Sequence, residues 1–252
     1  SLESINIPDG VTSIGKSTFR ECSNLTSITI PEGVTSIGWY AFDRCSSLTS
    51  INIPEGITSI GRYAFYECSS LESIVIPESV TSIGSSAFSG CSSLESIIIP
   101  EGVTSIESDA FYECISLKSI VIPESVTSIG RNAFSGCSSL ESINIPESVT
   151  SIEEYAIPEN TIIYTNANTE GHRYAEESEQ GYILLVCEQG DINQNGKIDV
   201  TDLLMLKRHL VAENRTEWIL TGQALLLADM NENGTVDITD MLMLKKVLVD
   251  EM

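Results

Sequence analysis

Two short segments near the C-terminus carry oxygen-bearing side chains at one fixed spacing: DINQNGKIDVTD at 191–202 and DMNENGTVDITD at 229–240. Asp or Asn stands at positions 1, 3, 5, 9 and 12 of each segment, and Gly at position 6 permits a sharp bend because it has no Cβ. Position 7 contributes only its main-chain carbonyl. Oxygen ligands at these spacings suit a hard cation and predict one Ca2+ in each loop, two ions in all. The expected ligands are Asp191, Asn193, Asn195, Lys197, Asp199, Asp202, Asp229, Asn231, Asn233, Thr235, Asp237 and Asp240.

A helix is predicted directly after each loop, because apolar residues recur at helical spacing in VTDLLMLKRHLV (200–211) and ITDMLMLKKVLV (238–249). These two loop–helix units resemble the type I dockerin module of cellulosomal proteins. Position 12 is Asp in both loops, where EF-hand loops usually carry Glu. The resemblance implies a small α-helical, EF-hand-like domain over 188–252 that folds around its calcium ions.

The resemblance also implies a partner, the cohesin domain of a scaffolding protein. In that family, loop positions 10 and 11 and a basic pair on the following helix face the cohesin. Because the two units are nearly identical, two binding orientations related by about a half-turn are also expected. The implied contact residues are Val200, Thr201, Leu204, Lys207, Arg208, Ile238, Thr239, Leu242, Lys245 and Lys246.

The first 152 residues repeat with a period of 23, which is marked by Leu and Pro. A fixed period of this size predicts a solenoid, because one unit cannot bury its apolar face without neighbours. Segments such as SITI and VTSI are β-branched and alternating, so they predict short parallel strands, and AFxxC predicts a helical or irregular turn. The marker residues are Leu2, Leu25, Leu48, Leu71, Leu94, Leu117 and Leu140, with Pro8, Pro31, Pro54, Pro77, Pro100, Pro123 and Pro146.

This pattern resembles the BspA-like bacterial leucine-rich repeats, which implies a mainly β solenoid. The period ends after Ile152, and the segment 162–186 reads strand, helix, strand, as expected of a cap that closes the open end of a solenoid. We therefore predict a repeat domain over 1–187, with repeats at 1–152 and a β-α-β cap at 153–187, followed by the dockerin at 188–252.

Composition excludes several partners. The chain has 252 residues with 13 basic and 36 acidic, a net charge of −23, so nucleic acid and anionic membrane surfaces are not expected to bind it. No apolar run reaches the ~20 residues of a membrane span. The chain begins inside a repeat, so we expect a fragment of an exported protein whose signal peptide lies outside this sequence.

Cysteine and histidine usage indicates no catalytic centre. Six cysteines follow the repeat period, and a stacked column points all thiols the same way, which opposes the crossed geometry of a disulfide. We expect a column of buried free thiols. His172 and His209 are the only histidines, and neither belongs to a recognisable nucleophile–base motif. The protein is predicted not to be an enzyme.

Two surfaces of the repeat domain are candidates for recognition. The strand position between two core isoleucines is apolar in the middle repeats, at Val75, Ile98 and Val121, and polar at both ends. Such a row either forms an interface or packs along a β-ladder. Trp39, Tyr40 and Tyr63 occupy adjacent turns, where they either contact a sugar or protein or shield the edge of the coils.

The sequence therefore predicts a secreted, non-catalytic protein of a cellulosome, the extracellular assembly for polysaccharide degradation. Its dockerin would anchor a repeat domain that binds a protein or a carbohydrate. Two alternatives remain open. One is a calcium-dependent surface adhesin, and the other is the C-terminal part of a cellulosomal enzyme whose catalytic domain lies upstream.

Overall fold

The structure, a computed structural model, describes residues 2–166 and 168–184. The chain divides into two compact units, Ser1–Ile183 and Leu184–Met252, and the description below concerns the first. The predicted calcium ligands, cohesin contacts and domain boundary at 187–188 lie outside the described residues and stay predictions.

Each coil from the third to the seventh contributes two short strands, as the alternating segments predict, whereas the second contributes one strand and the first only isolated bridges. Both sets of strands pair in parallel with a register offset of one repeat, for example Ile51 with Ile74 and Ile37 with Ile60. The predicted parallel β-solenoid is confirmed. The strands are β1 (Ser36–Ile37), β2 (Ser50–Asn52), β3 (Ser59–Ile60), β4 (Ser73–Val75), β5 (Ser82–Ile83), β6 (Ser96–Ile98), β7 (Ser105–Ile106), β8 (Ser119–Val121), β9 (Ser128–Ile129), β10 (Ser142–Asn144) and β11 (Ser151–Ile152).

The core is a set of columns in which one residue type repeats from coil to coil. Five phenylalanines from Phe42 to Phe134 are fully buried, and successive rings stack with centroids 5.2–5.6 Å apart. Leucine, isoleucine and alanine columns pack around them. A fully buried side chain of this size contributes about 1.5–3 kcal/mol, and it does so only when a neighbouring coil covers it.

The AFxxC segment forms a turn with two left-handed residues per coil rather than a helix. Main-chain hydrogen bonds from Phe42 N to Ala64 O and from Phe65 N to Ala87 O, both 2.8 Å, stack each turn on the next. These bonds offset the cost of positive φ at residues other than glycine, about 1–3 kcal/mol each. The first left-handed position of the turns has φ of 55–59° and is held by Ser17, Tyr40, Tyr63, Ser86, Asp109, Asn132 and Tyr155. The second has φ of 52–80° and comprises Glu21, Arg44, Glu67, Gly90, Glu113 and Gly136.

The cysteine column is confirmed as free thiols in the described residues. Cys45 Sγ donates to Phe19 O at 3.1 Å, and the same bond recurs at Cys68, Cys91, Cys114 and Cys137 with distances of 3.1–3.2 Å. Each thiol thus supplies a donor to a carbonyl of the previous coil. Burial raises the pKa of Cys45 and of Cys91 to about 12, so these thiols are not nucleophiles near neutral pH.

The glycine that follows the short strand sets how closely the coils approach. A Cβ at Gly84 would lie 2.6 Å from Arg62 N, closer than any real contact allows. The fifth coil carries Glu107 at this position, and in the described coils the short-strand ladder divides here into the sheets β1-β3-β5 and β7-β9-β11. Glu153 holds the same position in the seventh coil, where its main-chain N still donates to Ile129 O at 2.9 Å and β11 pairs with β9. The replacement of glycine alone therefore does not explain the break.

The predicted cap is β12 (Ile162–Thr165), α1 (Glu170–Glu177) and β13 (Tyr182–Leu184). Strand β12 pairs in parallel with β10 and extends the sheet, and the helix lies over the end of the core with Tyr174 and Ala175 buried. Glu170 Oε1 accepts from Ile152 N at 3.1 Å, and Thr161 Oγ1 donates to Leu140 O at 2.7 Å. The cap therefore covers apolar surface and satisfies main-chain groups of the last coil.

Replacing Gly84 by alanine is expected to lower the free energy of unfolding by about 1–3 kcal/mol, because the new Cβ overlaps the backbone of the previous coil. The matched control is Gly10→Ala, since a Cβ there meets nothing within 4 Å. We expect the control to stay within about 0.5 kcal/mol of the parent chain. Urea unfolding measures both, and equal stabilities for the two variants would contradict the close approach of the coils.

Alkylation of the native protein by iodoacetamide at pH 9 is expected to modify Cys22, which is partly exposed, and to spare the five buried cysteines from Cys45 to Cys137. All five are covered by the protein, and burial raises the pKa of Cys45 and of Cys91 to about 12, so pH 9 does not activate these two thiols. Peptide mass spectrometry gives the site of each adduct, and unfolding in urea should make all of them reactive. Native labelling of Cys68 or Cys91 at the rate of Cys22 would contradict the buried column.

Candidate recognition surface

The outward positions of the longer strands form a row with one side chain per coil, and main-chain pairing along the row is interrupted between β4 and β6 and between β8 and β10. Asn6, Thr29 and Asn52 pair by parallel bridges, Asn52 pairs with Val75, and Ile98 pairs with Val121. Because residues on either side of each row position point inward, this column faces solvent along its length. The fold therefore places one side chain per coil on a regular outer face.

Three apolar side chains occupy the middle of that column. Val75 is 76% exposed, Ile98 67% and Val121 60%, and polar Asn52 and Asn144 flank them. Most of their surface remains in water, so packing along the ladder covers only a minor part. We call Val75, Ile98 and Val121 the apolar stripe.

Acidic columns run along both sides of the apolar stripe. On the side before the strands lie Glu72, Glu95 and Glu141, all exposed. On the side after the strands, one exposed carboxylate follows each proline of the 23-residue repeat, at Asp9, Glu32, Glu55, Glu78, Glu101, Glu124 and Glu147. In the sequence, a single Pro-Glu turn indicates only a solvated spacer. In the structure, stacking of the coils brings the glutamates of successive turns into one line of like charges.

Basic residues are nearly absent from this face in the described coils. Lys118 is the exception, and its Nζ lies 3.0 Å from Glu95 Oε2. Arg20 and Arg44 instead lie in the turns, where Arg20 Nε bonds Asp43 Oδ2 at 2.8 Å and Arg44 Nε bonds Glu67 Oε2 at 2.9 Å. The border of the apolar stripe is therefore mainly acidic, and Lys118 is its one basic residue in the described coils.

The aromatic residues of the turns contact one another. Tyr40 and Tyr63 stack with centroids 4.8 Å apart, Arg20 covers Tyr40 at 5.5 Å and Arg62 lies over Tyr63 at 5.8 Å. Both tyrosines are half-buried, whereas Trp39 is 53% exposed. The ring faces of Tyr40 and Tyr63 are thus largely occupied within the protein, which favours shielding of the coil edge over binding of sugar rings.

A buried carboxylate in the same turns was not anticipated from the sequence. The Asp43 side chain is 3% exposed, its Oδ2 accepts from Arg20, and its Oδ1 has no hydrogen-bond partner among the described residues. Burial raises the pKa of Asp43, although the neighbouring Arg20 opposes the shift. Equivalent positions hold Ser89 and Ser135, so the carboxylate is not required by the fold.

The described residues hold no candidate metal site. They contain no group of three or more His, Cys, Asp or Glu side chains that could hold a metal ion. His172 is in α1, where its Nδ1 accepts from Asn168 N at 3.2 Å and its ring lies against Tyr182, so it serves the cap. No helix in the described part of the chain is long and apolar enough to cross a membrane.

Parallel strands in 23-residue coils around leucine and phenylalanine columns define a solenoid of the leucine-rich repeat class. The family model for the BspA type leucine-rich repeat region matches residues 1–114 and 58–175, so the chain belongs to that family. A second family model, the dockerin type I domain, matches residues 189–249. No curated protein matches the chain.

Solved structures support the same fold. A leucine-rich repeat protein from Bacteroides ovatus is 35% identical with a TM-score of 0.55, over 64% of this chain and 47% of that one. A leucine-rich repeat protein of T. pallidum is 29% identical with a TM-score of 0.53, over 64% of this chain and 73% of its own. The chain thus aligns with about half the length of the Bacteroides ovatus protein.

Two family models thus match separate stretches of this chain. Both modules are non-catalytic, and type I dockerins bind calcium. A dockerin implies assembly through a cohesin partner in a cellulosome-type complex, and this combination suggests an extracellular or cell-surface protein.

Replacing Asp43 by serine is expected to raise the free energy of unfolding at pH 7 by roughly 1 kcal/mol, because it removes a buried oxygen that accepts no hydrogen bond from the described residues and has Arg44 Nε only at 4.0 Å. A raised folded-state pKa means that Asp43 stabilises the fold most below its unfolded pKa, and this contribution is lost as pH rises through the folded pKa. The advantage of the variant should therefore be larger at pH 7 than at pH 3.5.

Thermal unfolding of both proteins at the two pH values measures this difference, and the many other carboxylates cancel in the comparison. Ser89→Ala at the equivalent turn position is the control, and its effect should not depend on pH. A variant that is less stable than the parent at pH 7 would show that the ion pair with Arg20 outweighs the burial of Asp43.

Proposed function

We propose that this protein is a non-catalytic component of an extracellular, cellulosome-type assembly, in which the dockerin anchors the repeat domain to a scaffold. The observation that carries the proposal is the match of a dockerin type I domain directly after a BspA-type repeat region. The repeat domain then acts as the recognition unit, and the apolar stripe is its binding surface.

The residues of the two loops fit calcium. Each loop offers three carboxylates and two amide side chains at the spacing of a twelve-residue calcium loop, and a hard cation prefers such oxygen donors. The position-7 carbonyls of Lys197 and Thr235 would complete each set. Bound calcium would supply the charge that holds the acidic side chains of a loop together, so folding of this domain depends on the ion.

The proposed docking face consists of one loop–helix unit at a time. Thr201 with the basic pair Lys207 and Arg208 would contact the cohesin in one orientation. Thr239 with Lys245 and Lys246 would replace them after a rotation of about a half-turn. Apolar contact would come from equivalent residues of the two units, Val200 and Leu204 in the first and Ile238 and Leu242 in the second.

Two other roles are compatible with the same two domains and differ in what the chain anchors or carries. In an adhesin, the repeat domain would hold the cell to an external surface, and the acidic border of the apolar stripe favours a protein surface over a polysaccharide. In a cellulosomal enzyme, this chain would be the C-terminal part and would deliver an upstream catalytic domain. Both retain calcium-dependent docking.

Calorimetric titration of the full chain against a panel of cohesin domains tests the docking. We expect binding to one cohesin class in calcium and none after chelation, because the loops lose their ordering ion. Asp191→Ala with Asp229→Ala should abolish binding in calcium, whereas Asp43→Ala in the repeat domain is the control and should leave it unchanged. Binding that persists in chelator would contradict the proposal.

The same titration separates one orientation from two. Exchanging Thr201, Lys207 and Arg208 for glutamates should leave binding within about threefold, because the second unit replaces the first, and the reciprocal exchange at Thr239, Lys245 and Lys246 should behave alike. The combined variant should not bind. If either exchange alone abolishes binding, the cohesin uses a single orientation.

A further inference from the structure

The apolar stripe is not needed for the fold. Its positions are equivalent to those of Asn6, Thr29 and Asn52, which pair along the same row, and of Asn144, which pairs with Tyr164 of the cap. Polar residues are therefore compatible with strand pairing at this position. The exposed apolar surface of Val75, Ile98 and Val121 is not required for the fold. Contiguous apolar surface with a polar border marks a site of association on a soluble protein.

Charge on both sides of the stripe selects the kind of partner. Glu72 and Glu95 lie before the strands, and Glu78, Glu101 and Glu124 lie after them, all exposed. A second copy of this face would place carboxylates against carboxylates, and an anionic lipid surface would be repelled in the same way. Lys118 already pairs with Glu95. The other carboxylates of this face could therefore pair with basic side chains of a partner.

The spacing of the stripe is nearer to that of a helix than to that of an extended strand. Its members lie on strands of adjacent coils, and neighbouring parallel strands are about 4.8 Å apart. An α-helix rises about 5.4 Å per turn, whereas alternate residues of an extended strand are about 6.6 Å apart. A helix that lies along the solenoid axis thus places one apolar residue per turn on each of Val75, Ile98 and Val121.

We propose that this face binds a cationic amphipathic helix of a protein partner, with an apolar row on the stripe and Lys or Arg side chains on the two acidic columns. The proposal rests on the recognition role given to the repeat domain above and specifies its partner. Apolar contact supplies affinity, and the carboxylates on both flanks fix the direction and speed of approach. The aromatic turns are not involved, because Tyr40 and Tyr63 contact each other.

The probe is a capped synthetic helix with leucines at i, i+4 and i+7 and lysines on both flanks of the leucine row. Fluorescence titration of the full chain with this peptide should give saturable binding that weakens as salt is raised. Two control peptides have the same composition with the leucines scrambled around the helix, or glutamates in place of the lysines. Both should bind at least about 10-fold more weakly, and equal binding of either would overturn the proposal.

Variants of the protein test the face itself. Val75→Asn, Ile98→Asn and Val121→Asn together copy the residues of neighbouring coils, so the chain should fold with an unchanged unfolding midpoint and bind at least about 10-fold more weakly. Ile115→Ser is the matched control, because Ile115 is 48% exposed in a turn where other coils carry Ser46, Ser69 and Ser92. Its affinity should not change.

Glu101→Gln with Glu124→Gln should lower the affinity and reduce its dependence on salt, whereas Glu153→Gln with Glu154→Gln in the turns should leave both unchanged. Unaltered binding by the triple asparagine variant would overturn the proposal. So would binding of a neutral oligosaccharide that depends on Ile98. The titration needs neither cohesin nor calcium, so its failure leaves docking intact, and failure of the cohesin titration leaves this face untouched.

Discussion

The constant register between coils is the constraint on which this structure depends. A 23-residue unit cannot bury its phenylalanine, leucine and isoleucine side chains alone, and it does so only when the next unit stacks at the same phase. Main-chain hydrogen bonds between coils and the bonds from the cysteine thiols to the phenylalanine carbonyls fix that phase. The coils approach closely at Gly84, where a Cβ would lie 2.6 Å from Arg62 N of the previous coil.

The same register converts sequence position into surface columns. A carboxylate after each proline becomes a line of charge, and three apolar residues at one phase become the apolar stripe. Properties of this face therefore belong to the stack and not to a single repeat. A partner that reads the face must match the spacing between coils, which makes an elongated, regular partner more suitable than a small molecule.

Much of the fold could be predicted from the sequence, because the signals are local or periodic. Inward isoleucines, the free thiol column and the cap of strand, helix and strand all follow from spacing, and the described residues bear them out. The conformation of the turn was harder to predict from the sequence. Its left-handed residues include Tyr40, Arg44 and Glu67, and only two of the thirteen in the turns are glycine. Hydrogen bonds to the neighbouring coil stabilise that backbone, and no single repeat contains them.

Features that depend on side chains from different coils were also missed. Asp43 reads as an exposed turn residue, yet its neighbours bury it beside Arg20. For Tyr40 and Tyr63 the sequence left ligand contact and shielding of the coil edge as alternatives, and the stacking of the two rings under Arg20 and Arg62 favours shielding. The calcium loops and cohesin contacts rest on motif and family match, because they lie outside the described residues.

A capture experiment tests most directly the central claim that one end of this chain docks and the other recognises. Immobilised cohesin should retain the full chain in calcium, and the retained chain should then bind the leucine–lysine helix. Addition of chelator should release chain and peptide together as an intact complex, because calcium is needed only for docking. Retention of the chain in chelator, or release of the peptide from a chain that stays bound, would contradict the account.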